Sequence, residues 1–227
     1  MINTNILKGL LTVLCAGGFA VLAYFVTQGA VPAFDTAVQS AVFSLRNDWL
    51  TALLKPLTLS GNWQPVTVLC AVLLAAPQTR KHYGLPLSAA ALSSVLFYET
   101  LKFVFQRSRP DPAFYLINES GFSFPSGHAL TSLVLWGTLI MLIRAYARVP
   151  RLSSEDEYDF PRLTKPSAVN LLTGLLCVYI ILMAFSRIYV GVHYPTDVLG
   201  SWCLGGCMLI AIHSSLVPAL THRGKDA

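Results

Sequence analysis

The chain has 227 residues, 54% of them hydrophobic and only 12% charged, with a mean hydropathy of +0.58. A soluble domain of this size carries roughly 25% charged residues, so the composition excludes an ordinary water-soluble fold and points to an integral membrane protein. The net charge of +5 and pI near 9.0 do not indicate a nucleic-acid partner. The Lys and Arg residues stand between apolar runs, where the positive-inside rule accounts for them.

The expected fold is all-α: one integral-membrane domain over residues 1–227, with six transmembrane helices. The first span runs from about Ile6 to Val26. It is long for a signal-peptide core and lacks a small-x-small cleavage site, so it reads as a retained helix. A 36-residue segment, Thr27 to Asn62, follows, with Asp35 as a candidate cap. Its Val38, Val42, Leu45, Leu50, Leu53 and Leu54 recur at three- and four-residue spacings, which suits an amphipathic helix lying in the interface. The second span, 63–76, is shorter than the ~20 residues a crossing needs and begins around Pro65. Arg80, Lys81 and His82 close it.

The third span covers 85–106, the fourth 128–146, the fifth 169–185 and the sixth 196–217. A charged loop between the fourth and fifth, Arg148 to Lys165, contains Glu155, Asp156, Glu157 and Asp159. Cys15, Cys70, Cys177, Cys203 and Cys207 all lie in apolar runs. No second pair completes a zinc set with Cys203 and Cys207, so all five read as packing residues. His82, His213 and His222 read as interfacial or structural, and Ser201, Gly205 and Gly206 as close helix contacts.

Orientation follows from the cations. One side receives Lys8, Arg80, Lys81, Arg144, Arg148, Arg151, Arg162, Lys165, Arg223 and Lys225. The other receives Arg46 and Lys55, besides those of three polar islands. Both termini are therefore expected in the cytoplasm. The islands are Lys102 to Pro110, Pro125 to His128, and Ser186 to Asp197. Two crossings separate the first two from the third, so all three share the external face and can meet.

Charged residues at membrane depth are costly and default to a functional reading. Lys102 lies near the end of span three, with Glu99 one turn behind as a possible snorkelling partner, and Arg107 and Arg109 flank Ser108 at the exit. Pro125-Ser126-Gly127-His128 opens span four. Unpaired N–H groups at a helix start form an anion site, and Gly127 permits close approach. Ser186-Arg187 ends span five. His193 and Asp197, four residues apart, bracket the start of span six, close enough for the carboxylate to orient the imidazole.

The spacing Lys102-x6-Arg109-Pro110, Pro125-Ser126-Gly127-His128 and Ser186-Arg187-x5-His193-x3-Asp197 resembles the signature of the type 2 phosphatidate phosphatase superfamily. That group includes lipid phosphate phosphatases and, more distantly, glucose-6-phosphatase and vanadium-dependent haloperoxidases. Every defining position is filled. The resemblance implies that His193 attacks phosphorus to form a phosphohistidine, Asp197 holds its tautomer, and His128 shuttles the leaving-group proton. It implies that Lys102, Arg109, Arg187, Ser126 and Gly127 cradle the phosphoryl oxygens.

No cofactor and no metal are expected. The implied substrates are lipid phosphates: undecaprenyl diphosphate, phosphatidylglycerophosphate or phosphatidate, with lipid A phosphate also open. A lipid phosphotransferase using the same intermediate, or a non-catalytic lipid-phosphate binder or transporter, remains an alternative. Oligomeric state is not legible in the sequence.

Overall fold

The computed structural model describes residues 3–29, 33–148 and 162–222, the last six of them as backbone only. The acidic run Glu155 to Asp159, together with Arg151, Arg223 and Lys225, lies outside the described residues. Within them the chain is helical, and no strand occurs. In chain order the helices are α1 (Thr4–Thr27), α2 (Ala33–Ser44), α3 (Asp48–Leu59), α4 (Trp63–Ala75), α5 (Pro77–Thr79), α6 (Leu85–Phe105), α7 (Gly127–Tyr146), α8 (Pro166–Tyr189) and α9 (Pro195–His222).

Five stretches are long and apolar enough to cross a membrane: Thr4–Thr27, Pro77–Phe105, Gly127–Tyr146, Pro166–Tyr189 and Pro195–Leu216. A sixth exists only if α3 and α4 count together, bent by 52° at their junction. The protein is thus a multi-pass helical membrane protein. The expected span at 63–76 is half of that bent pair.

The segment expected as one amphipathic helix instead divides into α2 and α3, because Leu45, Arg46 and Asn47 form a turn. Asn47 then caps α3 by accepting the Leu50 N–H at 2.9 Å. Leu54 and Thr58 of α3 are buried, and the helix packs against α8.

The third span also differs at its start. Arg80 to His82 do not form a loop. They lie in a π-helical turn, Arg80–Gly84, that runs directly into α6. This turn folds back on the end of α4, where Thr79 Oγ1 donates to Leu73 O at 2.9 Å and Arg80 Nε to Leu74 O at 2.6 Å. Two carbonyls that α4 leaves open are thereby satisfied. The fifth span extends beyond residue 185 to Tyr189, so Ser186 and Arg187 sit inside the last turn of α8.

The central helix is α7, packed by α6, α8 and α9, while α1 covers α9. At the end where α7 begins, Leu54, Ala129, Ala184, Tyr189 and Val198 form one core cluster. Toward the other end, Leu87, Leu135, Leu142 and Tyr146 form a second. Glycines Gly205 and Gly206 lie where α9 meets its neighbours: an added Cβ would stand 2.7 Å from Leu133 and 2.8 Å from Cys15. The described cysteines are all free thiols.

Two connections close the α7-start end. Residues 106–126 link α6 to α7, and residues 190–194 link α8 to α9. They are stitched together by Leu116 N–H donating to Val190 O at 2.9 Å. Arg46 ties the first connection to the last residue of α8, with Nη2 2.9 Å from Phe114 O and Nε 2.9 Å from Tyr189 O. Gly191 has φ +84°, and a Cβ there would lie 2.3 Å from Phe114 O. Both the left-handed backbone and the clash oppose any side chain. Gly191→Ala should therefore cost at least about 2 kcal/mol, read as a lowered Tm in detergent.

Candidate functional site

All three polar islands meet at that end of the bundle. Gln106 adopts φ +47° and terminates α6, turning the chain so that Arg107 points inward while Arg109 reaches across to the α8–α9 connection. Ser126, preceded by a cis Phe124–Pro125 bond, opens α7. Its N–H reaches Asp197 O at 3.3 Å, and Ser201 Oγ bridges Ser126 O at 3.0 Å and Asp197 O at 2.7 Å. Ser201, expected only to pack, thus ties the start of α7 to the first turn of α9.

The His193 imidazole is almost fully buried and held from both sides. Its Nδ1–H faces Asp197 Oδ2 at 3.3 Å. Its Nε2 faces Arg109 Nη1 at 3.2 Å. A guanidinium can only donate, so Nε2 is the acceptor and the ring proton belongs on Nδ1. The lone pair on Nε2 is turned toward Arg109 at the edge of the cavity that both residues line. Burial, followed by the charges of Arg109, Arg187 and Lys102, pushes the His193 pKa well below the usual histidine value.

Arg109 does more than face a ligand. Its Nε donates to Ser120 O and Gly121 O at 3.1 and 3.0 Å, and its Nη1 also reaches Val192 O at 2.9 Å. It therefore organises both connecting segments. Arg187 is fully buried and donates to Thr58 Oγ1 at 2.8 Å and to the Glu119 carboxylate. Glu119 also lies 3.8 Å from Arg109. Burial would raise the Glu119 pKa, but Arg187 and Arg109 outweigh it and hold the carboxyl below its ordinary value.

Lys102 does not pair with Glu99. Its ammonium stands 5.0 Å from the Tyr98 ring centroid, on the wall of the site. Gly127 lies against the same ring, where a Cβ would come within 3.1 Å. His128 is met by Asn62, whose Oδ1 is 2.9 Å from His128 Nε2. With that oxygen as acceptor, the His128 proton sits on Nε2. Ser186, a motif position, turns its hydroxyl onto Met183 O of its own helix at 2.6 Å.

Of six buried polar side-chain atoms without a protein partner among the described residues, four are on Ser88, Thr173, Trp202 and His213; the other two, Ser126 Oγ and Arg187 Nε, belong to the islands. An unpaired buried donor costs about 1–3 kcal/mol. Both belong to the residues expected to hold phosphate, and tetrahedral oxyanion oxygens would satisfy both. A cavity of about 720 Å³ is lined by their neighbours Gly127 and Glu119, together with His128, His193, Lys102 and Arg109, though not by Ser126 or Arg187 themselves. It continues between α4 and α6 past Val66, Ala71 and Leu92 to Leu74. Among the described residues, no group of His, Cys, Asp and Glu is arranged to hold a metal ion.

The PAP2 superfamily model matches residues 83–219, which include every residue of the three islands. The chain belongs to the PAP2 superfamily. It is 32% identical to phosphatidylglycerophosphatase B of Bacillus subtilis, over 82% of this chain and 85% of that one. It is also 32% identical to an undecaprenyl-diphosphatase of Sulfolobus acidocaldarius, over 63% of this chain and 58% of that one.

Among solved structures, a transmembrane PAP2-type phosphatidylglycerolphosphate phosphatase from Bacillus subtilis superposes with a TM-score of 0.69. That match has 26% identity and covers 90% of this chain and 94% of the other. Aquifex aeolicus LpxE shares the fold, with a TM-score of 0.59 at 21% identity over 81% of this chain and 96% of the other. This PAP2 protein is accordingly a membrane-bound enzyme of a group whose named relatives are phosphatases.

Four site residues escaped sequence reasoning: Asp35, Thr58, Asn62 and Glu119. Three precede the PAP2 match altogether, on helices or turns that looked merely interfacial. Asp35 and Glu119 carried one available signal, a lone carboxylate within a poorly charged chain.

Ser126→Ala removes an unsatisfied hydroxyl, so the Tm should hold or rise. The stabilisation conferred by added orthophosphate should shrink, reflecting affinity weaker by about tenfold. Thermal unfolding with and without orthophosphate reads both effects.

Proposed function

We propose that this PAP2 enzyme hydrolyses a lipid phosphate or diphosphate at the external membrane face through a phosphohistidine on His193. The observation that carries the reading is the clamped imidazole: Nδ1 is turned to Asp197 and the Nε2 lone pair to the cationic pocket. His193 Nε2 attacks phosphorus, and the bond to the leaving oxygen breaks with its electron pair on that oxygen. His128, entering this step as the imidazolium with its Nε2–H held by Asn62, supplies the Nδ1 proton to it. Water then attacks the phosphohistidine, giving a proton to His128. The P–N bond breaks, its electrons return to Nε2, and orthophosphate departs.

Arg187, Arg109, Lys102, Ser126 and the Gly127 N–H stabilise the equatorial oxygens. Fixed cations of this kind supply the charge stabilisation the step requires. As phosphate enters, it takes over from Glu119 the guanidinium of Arg187.

The apolar arm of the cavity supports a lipid substrate. From Trp63 to Leu74 it follows α4 for eleven residues, roughly 16 Å at 1.5 Å per residue, enough to receive a long stretch of acyl or prenyl chain. Undecaprenyl diphosphate, phosphatidylglycerophosphate and phosphatidate all fit that description. The cation asymmetry between the two ends supports an external site and cytoplasmic termini in a cell membrane.

Detergent-purified protein should release phosphate from a panel of these lipids in the presence of EDTA, and His193→Ala should reduce release by at least about 10³-fold. A Mg²⁺ requirement, or turnover by the alanine variant, would refute the mechanism. Labelled phosphate recovered on a second lipid would identify a phosphotransferase instead.

The pH dependence of kcat/KM should be bell-shaped. Because the His193 pKa is lowered, the imidazole stays neutral through the neutral range and is protonated only in acid. The acid limb should therefore fall well below the ordinary value of 6.5. A limb at or above 6.5 would contradict the assignment of His193 as the free-enzyme nucleophile.

A further inference from the structure

Behind the His193–Asp197 pair lies a second buried charge pair. Asp197 Oδ1 accepts from Arg107 Nη1 at 2.6 Å. The other end of the same guanidinium donates through Nη2 to Asp35 Oδ2 at 2.8 Å. Asp35 has no exposed surface, and Arg107 is buried as well. Thr196 completes the arrangement: its N–H donates to Asp35 Oδ1 at 2.8 Å and its hydroxyl to Asp35 Oδ2 at 2.6 Å. Arg107 Nη1 also reaches Thr196 Oγ1 at 2.7 Å, and the guanidinium lies 4.2 Å from the Tyr194 ring centroid.

Every neighbour of Asp35 in this set is a donor, so both its oxygens act as acceptors, as in an ionised carboxylate. Burial opposes the charge on Arg107, but Asp197 and Asp35 together hold its pKa above the ordinary arginine value.

The charge count gives this chain its meaning. Asp197 alone would set one negative charge beside His193. Arg107 by itself would cancel it, leaving a neutral pair that attracts a cationic ring only weakly. Asp35 returns the cluster to one net negative charge while Arg107 keeps Asp197 rigid.

We infer that Asp35 and Arg107 form a charge relay that positions Asp197 and sets the basicity of the His193 nucleophile. Both are positioning residues, since neither touches the reacting atoms. Its outer carboxylate, Asp35, is supplied by α2, which lies before the 83–219 PAP2 match, while Arg107 lies within it, so the attacking group is tuned in part from outside the motif region.

This inference rests on the phosphohistidine reading above, and it requires that His193 feel the relay against its other charged neighbours. Those are Arg109 and Glu119 on the α6–α7 connection, Lys102 on α6, His128 on α7, Arg187 on α8 and Asp197 on α9. Substitutions at Asp35 or Arg107 change the formal charge of none of these, and among them only Asp197 loses a direct bond, to Arg107.

The signature is a pair of opposite shifts. Asp35→Asn removes a negative charge and keeps an acceptor for Thr196, so His193 should titrate lower by about half to one pH unit. Arg107→Gln removes a positive charge, so His193 should titrate higher by a similar amount. The readout is the pH dependence of His193 modification by diethylpyrocarbonate, resolved by mass spectrometry of its peptide in the intact, detergent-solubilised protein. It does not depend on turnover.

On a lipid phosphate substrate, Asp35→Asn should lower kcat about tenfold while KM and orthophosphate inhibition change less than about threefold. The double variant Asp35→Asn/Arg107→Gln, which again leaves one net negative charge, should recover part of that loss.

Shifts in the same direction, no shift, or a double variant slower than Asp35→Asn would overturn the relay. So would a fall in kcat that merely tracks a fall in Tm. Opposite shifts in a protein that releases no phosphate would leave the relay standing and refute the phosphatase reading. Normal turnover lost in His193→Ala but unaffected by Asp35→Asn would do the reverse.

Discussion

Four cations, Lys102, Arg107, Arg109 and Arg187, are confined to one end of an apolar helical bundle, and the rest of the site depends on how that charge is tolerated. A buried charge without partners costs several kcal/mol, so each must be held by carboxylates, carbonyls or an aromatic face. Arg107 lies between Asp35 and Asp197. Arg187 holds Glu119 and Thr58, Arg109 holds backbone carbonyls, and Lys102 stands beside the Tyr98 ring. These assignments divide the cations into two kinds. Arg107 is bonded entirely to protein groups, whereas Arg187 retains an unpaired Nε and shares the Glu119 carboxylate with Arg109.

That division explains why connecting segments, rather than helices alone, build the site. Arg109 reaches carbonyls of both the 106–126 and 190–194 connections, so its position and that of His193 are mutually dependent. Gly191 lets the same two segments pack closely, and Arg46 ties the first of them to the end of α8. An imidazole on a connecting segment is thereby given the positional precision of a helix terminus. Precision of this kind is what catalysis by orientation demands.

The cavity joins two chemistries along one wall. Its polar end is formed where α6 ends and α7 starts, with the 106–126 connection and His193, because helix ends expose donors and tolerate glycine. Its apolar arm follows α4, a helix with no buried residue that is broken from α3 by the 52° bend. Asn62 lies at that break, 2.9 Å from His128 Nε2, so the same elbow that opens the arm also reaches the first turn of α7.

Much of this was legible in the residues alone. Composition dictated a helical membrane protein, since long apolar runs have no other way to satisfy their backbone in lipid. The spacing of the islands named the family, and counting crossings put them at one end, because a span carries the chain across once and only once. Span boundaries were less legible: the π turn at Arg80–Gly84 and the α3–α4 bend follow from backbone packing that periodicity does not record.

What only the tertiary structure decided was who pairs with whom. Nothing near Asp35 in the chain marks it as a partner of Thr196, 161 residues away, or distinguishes Arg107 as structural from Arg109 two residues on. A buried charge chooses its partner by proximity in space, and proximity between distant segments exists only once the helices have packed.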